Sequence, residues 1–106
     1  STFEEIQSEY IKSGDSLVLV KQLSILLRRT FLAYFPREEV SSLVGIRWLN
    51  FLDQGLNENF FTEGVGKKLV IAPYQDQERP DHADMEQLLK VVKIRIKTPI
   101  KKEGIS

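Results

Sequence analysis

The chain has 106 residues, of which 42% are hydrophobic and 28% charged; Lys plus Arg and Asp plus Glu balance at 15 each, with one histidine and no cysteine. That length suits one domain with a modest core, and the composition is far from that of a disordered chain. Disulfides and thiolate metal sites are excluded, and the balanced charge provides no global field toward nucleic acid.

The chain opens Ser1-Thr2 and its only methionine is Met85, so it reads as a piece of a longer protein. Thr2-Phe3-Glu4-Glu5 has the form of a capping box and predicts a helix over 3–13, with Phe3, Ile6, Tyr10 and, at its margin, Ile11 on one face and Gly14 closing it. Asp15 or Ser16 then caps a second helix. Its residues Leu19, Val20, Leu23, Leu26, Leu27, Phe31 and Tyr34 form a stripe broad enough for a central helix, with Lys21, Ser24 and Arg28 on the far side. Leu17 to Phe35 is the most apolar window, but Lys21, Arg28 and Arg29 make it a core helix and not a membrane span.

Pro36 ends that helix, because proline disfavours helical geometry in the residue before it, and a short helical turn over Arg37 to Val40 should follow. From Gly45 to about Gly55 the spacing predicts another helix, with Ile46, Leu49, Leu52 and Leu56 inward beside Trp48 and Phe51, and Arg47, Asn50 and Asp53 outward. Leu69 to Ala72 is too short for periodicity to separate a strand from a buried helical turn. With no second strand to pair with it, a short helix or irregular segment is expected. Gln75 to Pro80 reads as a polar loop. Asp81 caps a last helix that buries Met85, Leu88, Leu89, Val92 and Ile96 and places Lys93, Arg95 and Lys97 near its negative end. Lys93 to Lys97 also alternates with period two, as an edge strand would, but the cap and the earlier stripe favour helix.

The expected fold is therefore mainly all-α: a single domain over residues 1–98, built as a bundle of about four main helices, with a short irregular or β-like segment near residues 66–74. Residues 99–106 are expected to be a flexible tail. Leu23, Leu27, Phe31, Trp48, Leu52, Leu88 and Val92 should be buried together, and Phe31, Tyr34, Phe35, Trp48 and Phe51 should form a core around the proline corner.

Little in the sequence suggests catalysis. Gly64-Val65-Gly66-Lys67-Lys68 lacks both the earlier glycine and the terminal Ser or Thr of a phosphate loop, and reads as a glycine-permitted bend. His82 has no companion ligand, and zinc catalysis needs three. The acid pairs Glu4-Glu5, Glu38-Glu39 and Asp81/Asp84 are accounted for by helix dipoles. No catalytic residue, metal or cofactor is expected. Six basic residues from Lys90 to Lys102 have no acid between Lys90 and Lys102, a run suited to anionic lipid or nucleic acid or simply to a helix end and a solvated tail. A nucleic-acid-binding helical module is the alternative function, weakened because the helix near 46–56 carries only Arg47 as a base. Arg28, Arg29 and Arg37 flank the proline corner and are the candidate partner-binding residues, suited to carboxylates on another protein.

The motifs Leu26-Leu27-Arg28-Arg29, Phe35-Pro36-Arg37-Glu38-Glu39-Val40, Trp48-Leu49-Asn50-Phe51-Leu52-Asp53, then Phe61, Gly64 and Ala72-Pro73-Tyr74, spread over roughly residues 20–97, resemble the bacterial family catalogued as domain of unknown function 4381. The resemblance implies a small membrane protein with a short N-terminal segment, one transmembrane helix, a basic stretch and a soluble domain. It also implies an accessory role beside MoxR-type AAA+ ATPases and von Willebrand factor A domain proteins, with which such proteins are encoded in the Bat gene cluster. The basic stretch after the membrane helix would place the soluble domain on the cytoplasmic face of the inner membrane. The family supplies no catalytic residues to carry over. The sequence departs from the family pattern at Ile46, where a small or acidic residue is expected.

Overall fold

Hydrogen-bonding side chains at the predicted caps set where the helices begin. Thr2 Oγ1 accepts from the Glu5 amide at 3.2 Å while the Thr2 amide donates to Glu5 Oε1 at 2.8 Å, closing the capping box. Asp15 accepts from the Val18 amide at 3.2 Å, and Asp81 from the Asp84 amide at 2.8 Å. The computed structural model describes residues 1–71 and 81–100. Its elements are α1 (Phe3–Ser13), α2 (Ser16–Leu32), α3 (Arg37–Ser41), α4 (Gly45–Asp53), a 3-10 turn over Val65–Lys67 leading into α5 (Lys68–Ile71), and α6 (His82–Lys97). No strand occurs among the described residues, so the fold is all-α, with α1, α2, α4 and α6 as the main helices.

The broad apolar stripe puts α2 at the centre, where α1, α3, α5 and α6 pack on it. The seven residues expected to share the core are all buried. Phe31 meets Phe51 edge-on at 5.0 Å, Phe35 meets Phe51 at 5.3 Å, and Trp48 stacks on Phe51 at 6.0 Å, so the aromatic core around Pro36 is present. Such pairs add about 0.5–1.5 kcal/mol each beyond the burial of their area.

Several positions depart from expectation for local reasons. Tyr34 is 65% exposed because α2 stops at Leu32, two residues before the stripe would have carried it inward. Ile46 is 60% exposed: it lies in the first turn of α4, ahead of the turn that Trp48 and Leu49 bury. Leu56 lies beyond the end of α4 and only partly covers the core. Lys93 to Lys97 is helical, and Arg95 is turned fully inward.

The segment expected to be irregular or β-like is a 3-10 turn followed by one helical turn as far as Ile71, with Leu69 buried. A side chain at Gly66 would place its Cβ 2.4 Å from Phe61 Cδ1 and 2.8 Å from the Phe60 carbonyl oxygen, so glycine is required where this turn presses on residues 60 and 61. Ala72-Pro73-Tyr74 and the predicted loop Gln75 to Pro80 lie outside the described residues, as do residues 101–106 of the predicted tail. Ile100, at the start of that tail, is partly buried against the core. Among the described residues no helix is long and apolar enough to cross a membrane.

Candidate interaction surface

The three arginines singled out from the sequence occupy different environments. Arg28 turns back over the proline corner, where its Nη1 donates to the Val40 carbonyl at 2.9 Å and its Nη2 to the Leu43 carbonyl at 2.7 Å. Its guanidinium carbon lies 4.2 Å from the Trp48 ring centre. Burial pushes its pKa below the ordinary value. A fork of donors binds two carbonyls at and just beyond the end of α3, and the flat cation covers the indole face. Arg28 is thereby committed within the fold. Arg29 is exposed and donates through Nη2 to the Ser1 carbonyl at 2.6 Å, while Arg37 is exposed on the first turn of α3.

The surface around the corner is more apolar than its sequence suggests. Val44 and Ile46 stand 64% and 60% exposed on either side of Gly45, whose φ of 57° bends the chain into α4. Arg47 is exposed next to them, while Trp48 beneath Arg28 is buried and its Nε1 has no hydrogen-bond partner among the described residues. The corner thus combines branched aliphatic side chains with exposed guanidinium groups. Glu38 and Glu39 are also exposed on α3, so the charge there is mixed.

Arg95 is the residue whose role sequence reasoning missed. It is 0% exposed, and donates to the carbonyls of Leu52 at 2.7 Å, Gln54 at 2.5 Å and Thr98 at 2.6 Å. It therefore satisfies the ends of α4 and α6 together. Desolvation pushes its pKa down, and nearby Asp53 partly offsets this. Asp53, expected to face outward, accepts from the Phe61 amide at 2.8 Å, the Thr62 amide at 3.1 Å and Thr62 Oγ1 at 2.6 Å. A sequence signal for Arg95 existed: it lies three residues after Val92, on the inner side of the α6 stripe. His82 is exposed, yet its Nδ1 is 2.9 Å from the Tyr10 hydroxyl.

Residues 3–98 match the family model described as Domain of unknown function (DUF4381), and the chain belongs to that family. No curated protein and no solved structure matches it.

Proposed function

We propose that this chain is a non-catalytic protein-interaction domain that serves an assembly of a MoxR-type AAA+ ATPase and von Willebrand factor A domain proteins. In this reading it is held at the cytoplasmic face of the bacterial inner membrane by a helix outside residues 1–106. The observation that carries it is the corner between α2 and α4, where Val44 and Ile46 stay mostly in solvent beside the exposed Arg47. Neighbouring branched aliphatics with guanidinium groups beside them suit a protein partner that offers both apolar and carboxylate groups. Arg29 and Arg37 extend the polar part of that surface, and Arg28 holds it in shape from below.

Two further observations favour this reading over the alternatives. Gly64 and Gly66 are used in close packing against Phe60 and Phe61, which accounts for the glycine spacing without a bound nucleotide. Arg95 lies inside the molecule, which removes one cation from the surface that a nucleic acid would meet.

Capture from membranes tests the proposal. The full-length protein should retain the ATPase or the von Willebrand factor A protein, with Val44→Ser/Ile46→Ser and Arg29→Glu/Arg37→Glu each weakening capture while leaving the melting temperature nearly unchanged. The effect of the charge reversals should be larger at low salt. Failure of the wild-type protein to retain either partner would remove the reading, and unaltered capture by the stable variants would remove this surface. Calorimetry with zinc and with magnesium-ATP should show no binding; stoichiometric binding lost on changing His82 or Lys67 would overturn the non-catalytic assignment.

A further inference from the structure

The helices α1 and α6 are bridged at two places and open between them. At one end the Tyr10 hydroxyl lies 2.9 Å from His82 Nδ1 and the two rings stack with centres 5.7 Å apart. At the other the Lys93 ammonium lies 6.0 Å from the Phe3 ring centre. Between the bridges lies an open groove of about 260 Å³, with Phe3 and Leu89 in its apolar lining and Ile11 at 73% exposure along it. The bridges are seven residues apart on α1, about two helical turns, so a helical segment of similar length can lie between them.

Charge is segregated around this groove. Lys90 and Lys93 line it, three residues apart on one side of α6, and no acid follows Glu86 on that helix. Glu86 also lines the groove, toward its other end, where it lies 3.6 Å from His82 Nε2. The acids of α1, Glu4, Glu5 and Glu9, gather with Ser8 and Lys12 around a separate recess. Because Arg95 is buried, the exposed cations of the second half of α6 are lysines, and two of these border the groove.

We infer that the groove between α1 and α6 is a docking site for an acidic amphipathic helix of a partner protein. Its apolar side chains cover Ile11 and reach Phe3 and Leu89, and its carboxylates meet Lys90 and Lys93. Apolar anchors on one helical face, flanked by complementary charge, are how a helix is recognised in a groove. This surface uses none of the residues of the proline corner, so it stands or falls separately from the proposal above.

The probe is a capped 16-residue helical peptide with leucines at i and i+4 flanked by glutamates, titrated into the ¹⁵N-labelled chain, with a companion peptide carrying lysine for glutamate. The glutamate peptide should shift the amides of Gln7, Ile11, Glu86 and Lys90, and the lysine peptide should not. Lys90→Glu/Lys93→Glu should weaken binding about tenfold or more, and Ile11→Ser should also weaken it, with circular dichroism and melting temperature retained. Absence of shifts at millimolar peptide, equal binding of the lysine peptide, or shifts confined to other helices would overturn the inference. So would occupation of the same amides by phosphatidylglycerol vesicles or by a second copy of the chain without a response to the glutamate peptide.

Discussion

Replacing Arg95 by leucine leaves three carbonyl oxygens, those of Leu52, Gln54 and Thr98, without their donor. A buried charge is itself costly, and exchanging a complete buried ion pair for apolar residues is often neutral. Here the acceptors are backbone groups that no substitution removes, and each stranded group costs about 1–3 kcal/mol. Arg95→Leu should therefore lower stability by about 3 kcal/mol or more in urea melts. Trp48→Ala should cost about 3–5 kcal/mol by leaving a large cavity, and a loss below about 1 kcal/mol would contradict the burial of the indole. The arginines of the corner should separate in the same melts. Arg28→Ala removes two hydrogen bonds and the cover of Trp48, a loss of about 1–3 kcal/mol. Arg37→Glu, at an exposed position, should stay within about 0.5 kcal/mol.

The 3-10 turn over Val65–Lys67 depends on contact between backbones. Gly66→Ala must push Phe61 aside and should cost about 1–3 kcal/mol. At the start of α1, Glu5 titrates below its ordinary value because its carboxylate accepts from the Thr2 backbone and side chain. Its support for the helix is complete above the unfolded pKa of about 4.3 and is lost as pH falls through the lowered value. An NMR titration of the Glu5 carboxyl checks the direction, and Thr2→Ala, which removes the hydroxyl but keeps the backbone donor, should bring the pKa only part of the way back. Elements of this kind were legible in the sequence because their signals are local. The Thr2–Glu5 box, Gly14, Asp15, Pro36 and Asp81 each act within four residues, and the helices begin or end there. What could not be read were contacts made across the chain. The Arg28 fork reaches carbonyls 12 and 15 residues away, and Arg95 reaches 43 and 41 residues back. Charge alone made both cations read as exposed, although the position of Arg95 on the inner side of the α6 stripe pointed inward.

Since α1, α3, α5 and α6 all pack on α2, removing any one uncovers the central stripe, and the domain should unfold as a unit. Urea transitions followed by tryptophan emission, which reports Trp48, and by far-ultraviolet circular dichroism should coincide. A midpoint for tryptophan well below that of the helices would divide the corner from the rest. The two surfaces proposed for partners lie on different elements, the corner on α2, α3 and α4 and the groove on α1 and α6. Variants of one surface should leave binding at the other unchanged, and combined variants should be additive, provided each retains the wild-type melting temperature.

The order in which the chain is made gives the buried guanidinium of α6 another consequence. The carbonyl of Leu52 leaves the ribosome 43 residues before Arg95, roughly 2 to 9 seconds at about 5–20 residues per second. Throughout that interval a nascent chain has α2 without its cover from α6, and water alone answers the carbonyls at the end of α4. A chaperone that shields apolar helices therefore has access to this protein until α6 is made, and loses it when Arg95 arrives.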